Sequence, residues 1–170
     1  VISLLFDNTI NFVISYLGVI NSGCVAHLIP TGISQSNLID QILSANPILI
    51  LSSDNYFSKF SQIELEHFKK IKFSEIVEKP SNKRKPKSSD YAYLIYTSGT
   101  TSSPKGVPIT HSNAVFTTNN IVKKLQYNKN DINLLPLSLS HSFGLGCLHT
   151  SLHVGSTLIL QKNNDTSEII

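Results

Sequence analysis

The sequence predicts an α/β fold in which a mostly parallel sheet is flanked by helices. The chain has 170 residues, of which 41% are hydrophobic and 15% are charged. This composition is typical of a globular chain with one sizeable core. Short apolar runs alternate along the chain with apolar repeats of helical length, and this alternation indicates parallel strands joined by right-handed crossovers.

The first half of the chain contains three apolar runs, at residues 2–6, 25–29 and 48–51, that we predict as strands. Two helices are predicted between them from apolar positions at helical spacing. These positions are Ile10, Val13, Ile14, Leu17 and Ile20 before Gly23, then Leu38, Ile39, Ile42 and Leu43 before Pro47. Asp7, Asn8 and Thr9 precede the first helix and offer side-chain acceptors to its free N–H groups. Residues 52–77 show no clean period, so element boundaries stay open there.

The second half continues the alternation of strands and helices. Residues 91–96 and 107–110 are predicted to be extended, and a helix begins at 111–113 and runs through Leu125. Residues 134–137 form a further strand, which Pro136 places near an edge or at its end. A helix that ends at Gly155 and a strand at 157–160 complete a strand–helix–strand unit.

Composition and charge narrow the function classes. A net charge of +3 favours neither nucleic-acid binding nor a polybasic membrane surface. The most apolar segment is interrupted by polar residues and falls short of the ~20 apolar residues that a membrane span needs. Cys24 and Cys147 lie in apolar surroundings without zinc-ligand spacing, so we expect free thiols and a cytoplasmic location. The chain lacks Met and opens on an apolar run, which suggests an internal fragment.

Residues 97–106 form a hydroxyl-rich segment, Thr-Ser-Gly-Thr-Thr-Ser-Ser-Pro-Lys-Gly, between two predicted strands. It combines small donors, backbone that a ligand can approach and one point charge, so we expect a polyphosphate ligand. The Walker A pattern fails because Pro104 precedes Lys105 and Gly106 follows it. The GxGxxG and GxSxG patterns are absent. Residues 102–105 fit SxxK, but Pro104 opposes the helical geometry of that motif, and no SDN or KTG accompanies it.

Residues 94–105 resemble the signature loop of the adenylate-forming superfamily, which includes acyl-CoA synthetases, luciferases and peptide-synthetase adenylation domains. The Thr-His-Ser-Asn sequence at 110–113 follows as in that family, and residues 1–30 and 135–160 resemble its neighbouring segments. The resemblance implies the incomplete amino-terminal part of the family's large domain. Residues 1–170 would then be a partial AMP-binding domain, with a first α/β segment at 1–78, a basic linker at 79–89 and a phosphate-loop and acyl-pocket segment at 90–170. A solvated linker is favoured over an anion or nucleic-acid patch because 79–89 has no aromatic residue.

The resemblance also implies which residues bind ATP. The residues that would contact its β- and γ-phosphates are Thr97, Ser98, Gly99, Thr100, Thr101, Ser102, Lys105 and Gly106. Lys105 is interpreted as a charge clamp on the departing pyrophosphate rather than as a base. An exposed lysine that simply follows a turn is the alternative. Many relatives carry Gly where Ser102 stands.

His141 is the second candidate catalytic residue. The resemblance places its imidazole at the mouth of the carboxylate pocket, where it would donate to the substrate carboxylate or the acyl-adenylate. A half-buried histidine bonded to backbone is the alternative. Residues 138–140 make the approach to His141 about two residues longer than the family pattern. His149 and His153 are four residues apart on a predicted helix, but without a third ligand or an HExxH pattern no metal site is expected.

The implied activity is that of an ATP-dependent ligase in fatty acid or other acyl metabolism. It would join a carboxylate to AMP, release pyrophosphate and pass the acyl group to coenzyme A, with Mg²⁺ accompanying ATP. An adenylation domain that loads a carrier-protein thiol is one alternative, and a catalytically incompetent fragment with weak nucleotide binding is another. The family's adenine-contacting segment, ribose-binding Asp, hinge and carboxy-terminal catalytic Lys have no counterpart in these residues. The 170-residue chain alone is therefore expected to be inactive.

Overall fold

A computed structural model describes residues 1–61, 67–77, 85–97 and 104–161. Within these residues one sheet contains β1 (Ile2–Leu5), β2 (Ala26–Ile29), β3 (Leu49–Ser52), β4 (Lys70–Lys72), β5 (Tyr91–Thr97) and β6 (Lys105–Thr110). The strand order is β4-β3-β1-β2-β5-β6. Neighbouring strands are parallel except β5 and β6, which form an antiparallel pair. The predicted α/β class with a mostly parallel sheet is confirmed.

The described helices are α1 (Ile10–Asn21), α2 (Gln35–Ala45), α3 (Asp54–Ser61), α4 (His111–Leu125) and α5 (Ser142–Val154). A second sheet contains β7 (Ile132–Leu135) and β8 (Thr157–Leu160), which pair in parallel on either side of α5 in the chain. No helix in the described ranges has both the length and the apolar character that a membrane crossing requires.

Both faces of the larger sheet are buried, because successive side chains of a strand point to opposite faces. One face packs with α1 and α5, and its buried residues include Leu4, Leu28, Phe12, Tyr16, Leu145 and Leu148. The other face packs with α2 and α3, and its buried residues are Leu5, Ile29, Ile50, Leu38, Ile42 and Phe60. The central strands are therefore mostly apolar, as parallel strands covered on both faces are expected to be, with Ser3, His27 and Ser52 as buried polar residues.

Two element boundaries differ from the prediction. The strand predicted at 134–137 is β7, which begins at Ile132 and ends before Pro136, because proline has no N–H to donate to a ladder. The unassigned region 52–77 holds α3, β4 and a short 3₁₀ turn at Phe73–Glu75. Strand β4 has the sequence Lys-Ile-Lys and, among the described strands, pairs only with β3, so it is a charged edge strand without the apolar run that marks the central strands.

The predicted capping role of residues 7–9 is wrong. Thr9 occupies the N-cap of α1 but makes no side-chain capping hydrogen bond. Asp7 instead accepts a hydrogen bond from the Tyr56 hydroxyl at 2.5 Å, and Asn8 bonds to backbone far along the chain. Tertiary partners have taken the polar groups that local sequence offered to the helix.

Candidate active site at the carboxyl edge of the sheet

The hydroxyl-rich segment connects two strands at the carboxyl edge of the larger sheet. Because β1, β2 and β5 are parallel, their carboxyl ends meet at one edge, and Thr97 is the last residue of β5. Lys105 begins β6 and pairs with Thr97 across the antiparallel ladder. Ligands of open α/β sheets bind outside the carboxyl ends of the strands. The hairpin therefore lies where a ligand of this sheet is expected.

Thr97 and Lys105 are both exposed, so their side chains are open to a ligand at this edge. The predicted phosphate-binding residues Ser98, Gly99, Thr100, Thr101 and Ser102 lie outside the described residues. Their contacts with ATP, like those of Thr97 and Lys105, stay predictions.

Gly106 lies under an aromatic side chain from the neighbouring strand. A Cβ added at this glycine would stand 3.1 Å from the Tyr96 ring and 3.1 Å from the Leu94 side chain. Tyr96 is the ladder partner of Gly106, so its ring lies across the space that a side chain would fill. The structure thus gives Gly106 a packing role in the hairpin, in addition to its predicted approach to phosphate.

A buried histidine supports the Tyr96 ring from the next strand of the sheet. The ring centroids of His27 and Tyr96 are 5.1 Å apart, and His27 Nδ1 shares a 2.8 Å hydrogen bond with the Ser3 hydroxyl. Burial lowers the pKa of His27 to about 4, and a weaker opposing effect comes from the Gln41 side chain. His27 is therefore a neutral, structural imidazole at neutral pH. Sequence reasoning did not single it out, because an isolated histidine in an apolar strand carries no motif.

His141 immediately precedes α5, with extended backbone at φ −107° and ψ 153°. Its N–H donates to the Ser138 carbonyl at 3.2 Å, and its carbonyl accepts from the Leu145 N–H at 2.9 Å. The imidazole is exposed and makes no capping hydrogen bond. The backbone of His141 is thus held in a turn, while its side chain is available to a ligand.

The longer approach to His141 is packed into the protein rather than projecting from it. Leu139 is buried in the core with α1 and α5, and the Ser138 and Ser140 hydroxyls share a 2.7 Å hydrogen bond. A Cβ added at Gly144 would stand 2.2 Å from the Ser138 carbonyl oxygen. The first turn of α5 therefore sits directly against residues 137–141, which we call the His141 turn.

Asn8 joins the His141 turn to the carboxyl end of β1. Its side-chain N–H donates to the Leu137 carbonyl at 2.7 Å, and its Oδ1 accepts from the Leu139 N–H at 2.8 Å. Asn8 is 9% exposed; its bond to the Leu139 N–H is buried, and its bond to the Leu137 carbonyl is partly buried. This residue was missed as part of the site because its partners lie more than a hundred residues away, and no local pattern identifies them.

The two histidines of α5 have different surroundings. His149 Nε2 shares a 2.8 Å hydrogen bond with the Tyr16 hydroxyl, and the ring centroids of His149 and Tyr93 are 5.9 Å apart. Burial lowers the pKa of His149 to about 4, and burial also raises the pKa of Tyr16. His153 is exposed. Across the ranges that the structure describes, no three His, Cys, Asp or Glu side chains are grouped so as to hold a metal ion.

The fold and this edge define a class of protein, the adenylate-forming enzymes, whose amino-terminal large domain has the same arrangement of sheet and helices. The model of the AMP-binding enzyme family matches residues 1–169, so the chain belongs to that family. The solved structure of o-succinylbenzoate coenzyme A synthetase from Bacillus subtilis, in complex with ATP and magnesium ion, matches 99% of this chain with a TM-score of 0.85 and 25% identity.

Curated proteins are also similar to this chain. The 4-coumarate–CoA ligase-like 6 of Arabidopsis thaliana is 27% identical over 100% of this chain and 34% of its own length. The D-alanine–D-alanyl carrier protein ligase of Streptococcus pyogenes is 31% identical over 67% of this chain and 23% of its own length. The chain spans less than half the length of the relatives and of the solved structure that it matches.

Proposed function

We propose that this chain is the phosphate-loop part of an ATP-dependent ligase that activates a carboxylate as an acyl-adenylate. One observation carries the proposal: the Thr97–Lys105 pair lies at the carboxyl edge of the larger sheet, and Asn8 ties the His141 turn to the carboxyl end of β1 at the same edge. A phosphate-binding group and a carboxylate-binding group are the two requirements of this reaction. Family membership supports the assignment, and a solved relative is described in complex with ATP and magnesium ion.

The proposed chemistry assigns a separate role to each side of the edge. A carboxylate oxygen of the substrate attacks the α-phosphorus of ATP, and the bond to the β-phosphate oxygen breaks to release pyrophosphate. Lys105 stabilises the negative charge on that leaving group, because a positioned ammonium is most effective close to the atoms on which charge develops. His141 donates to the carboxylate or to the carbonyl oxygen of the acyl-adenylate. Mg²⁺ bound to ATP would neutralise further phosphate charge.

The acceptor of the acyl group is proposed to be the thiol of coenzyme A, with a fatty or other acyl acid as substrate and a cytoplasmic location. The name of the Arabidopsis relative supports a coenzyme A acceptor, and the name of the Streptococcus relative supports a carrier-protein thiol as the second candidate. Assays of thioester formation with coenzyme A and with a phosphopantetheinylated carrier protein, after the same adenylation step, distinguish the two.

The test of adenylation is carboxylate-dependent exchange of labelled pyrophosphate into ATP by the intact gene product, with a panel of acyl acids. Lys105→Ala is expected to slow this exchange about 100-fold, because one charged donor to the leaving group is lost. Lys124→Ala removes an exposed lysine from the last turn of α4 and serves as the matched control. An exchange rate in Lys105→Ala equal to that of the control would remove Lys105 from the reaction.

A further inference from the structure

Asn8 holds the backbone of the His141 turn from the opposite end of the chain. One side-chain amide donates to the Leu137 carbonyl and accepts from the Leu139 N–H, at 2.7 and 2.8 Å. We propose that Asn8 is a positioning residue, which sets where the His141 imidazole stands along the carboxyl edge of the sheet. This inference rests on the proposed carboxylate-activating function.

The geometry of the two bonds determines both the place and the orientation of the turn. The donor and the acceptor of one planar amide hold two backbone groups that are two residues apart. A single hydrogen bond would fix the position of one backbone group but not the orientation of the turn. The bond to the Leu139 N–H is buried, so leaving that N–H unpaired costs more than the bond itself contributes. The bond to the Leu137 carbonyl is partly buried. The Ser138 to Ser140 hydroxyl bond and the contact of Gly144 with Ser138 hold the rest of the turn.

Asn8 also relates the carboxylate side of the site to the phosphate side. It follows the carboxyl end of β1, and only β2 separates β1 from β5, whose last residue is Thr97. Two strand spacings correspond to about 10 Å. The hydrogen-bond ladder keeps that separation constant, so the amide fixes His141 relative to the strand that begins the phosphate loop. The element α5 alone would not do this, because the exposed imidazole has no capping bond of its own.

The expected consequence of losing the clamp is specific to the acid substrate. Removing the amide leaves the hairpin at β5 and β6 intact, since neither strand contacts Asn8 through a hydrogen bond described in the structure. A shift of His141 by even 1 Å would lower the rate with the carboxylate up to about 100-fold. The KM for MgATP is expected to change less than about twofold, because the phosphate loop is unaltered.

The experiment compares Asn8→Ala with Asn133→Ala in the intact gene product. Asn133 also makes two side-chain hydrogen bonds, to the Ser151 and Ser156 hydroxyls, at the other end of α5. Both variants lose the same chemical group, so they match in kind while only one touches the His141 turn. Kinetic constants for carboxylate and for MgATP are measured separately in the exchange assay. Asn8→Asp, which is isosteric and keeps the acceptor for the Leu139 N–H, replaces Asn8→Ala if the latter does not fold.

Amide hydrogen exchange of residues 137–141 provides a readout that needs no activity. It is expected to be about tenfold faster in Asn8→Ala, and unchanged in residues 105–110. Equal amide hydrogen exchange of residues 137–141 in the wild-type protein and in Asn8→Ala overturns the inference. So does an equal change in the kinetic constants for the carboxylate and for MgATP, and so do wild-type kinetic constants in both Asn8 variants. If the wild-type protein shows no carboxylate-dependent pyrophosphate exchange with any acid of the panel, the proposed function fails. The amide hydrogen exchange of residues 137–141 still decides whether Asn8 holds the turn.

Discussion

His27 and His149 are imidazoles whose environment, rather than their spacing in the sequence, determines their protonation. His27 is bonded to Ser3 on one face of the sheet, and His149 is bonded to Tyr16 on the other. Burial lowers the pKa of each to about 4 from an ordinary value of 6.5. Both are neutral near pH 7, and each is bonded to a side chain of the protein, which makes them structural groups.

These two pKa values predict that the protein loses stability as the pH is lowered from about 6.5 to about 4. In that window the unfolded chain binds more protons than the folded one, so the free energy of unfolding rises with pH. Each shift corresponds to a contribution of the order of 3 kcal/mol at neutral pH. Urea unfolding of the intact protein between pH 7 and pH 4 measures it.

The control for this pH dependence is the exposed histidine of the same helix. His149→Gln is expected to flatten the dependence of unfolding free energy on pH relative to wild type, whereas His153→Gln should leave it unchanged. If both variants keep the slope of the wild-type protein, the half-buried His149 does not titrate as the structure indicates.

At the level of elements, α5 contains two glycines with opposite surroundings. Gly144 faces the Ser138 carbonyl so closely that any side chain would overlap it, whereas an added Cβ at Gly146 meets nothing within 4 Å. The two positions are two residues apart and both lie in the helix. Alanine substitutions at the two positions therefore separate the effect of the contact with the His141 turn from the effect of helix propensity.

Gly144→Ala is expected to destabilise the protein by about 1–3 kcal/mol, because the added Cβ would overlap the Ser138 carbonyl. The hydrogen bond between the Ser138 and Ser140 hydroxyls helps to hold that part of the turn in place. Gly146→Ala is expected to be neutral or to stabilise by up to ~1 kcal/mol, since alanine is the better helix former. Thermal or urea unfolding of both variants tests the pair. Equal stabilities would contradict the close contact between α5 and the His141 turn.

The elements differ in how well the sequence predicts them. Strands β1 to β3 follow from short apolar runs, and α1 is predicted from apolar residues at helical spacing. The buried face of α1 is predicted wrongly, because Ile10 and Ile14 are exposed, whereas Phe12, Tyr16 and Val19 are buried. Strand β4 has polar residues on both sides of Ile71 and packs at an edge, so it carries no such signal. Strand β6 pairs antiparallel with β5, a direction that residue composition alone does not predict.

For the whole molecule, family membership is shown, while the chain spans less than half of the relatives that it matches. The described edge contributes the hairpin and the His141 turn, which form one side of the proposed site. Among the described residues, two groups at one edge of a sheet do not enclose a substrate or exclude water from it. Transfer of the adenylyl group from ATP to a carboxylate is favoured in a site closed to water.

The 170-residue chain on its own is therefore expected to show no carboxylate-dependent pyrophosphate exchange, under conditions in which the intact gene product does. The exchange assay with the same acids and equal protein concentrations compares them. Circular dichroism of the chain confirms that it is folded in the assay. Exchange by the folded chain at a rate near that of the intact protein would show that these residues hold a complete active site.

The sequence by itself determined the α/β class, the succession of most elements and the hydroxyl-rich composition of the hairpin, because each depends on local periodicity or residue type. Only the tertiary structure decided which polar groups meet. Asn8 bonds to Leu137 and Leu139, which lie 129 and 131 positions later in the chain. Tyr16 bonds to His149, which lies 133 positions later. Such partners are selected by long-range packing, since a buried amide or hydroxyl takes whichever complementary group the folded core places within reach. The candidate site is thus predictable in its chemistry from the sequence, and in its geometry from the fold.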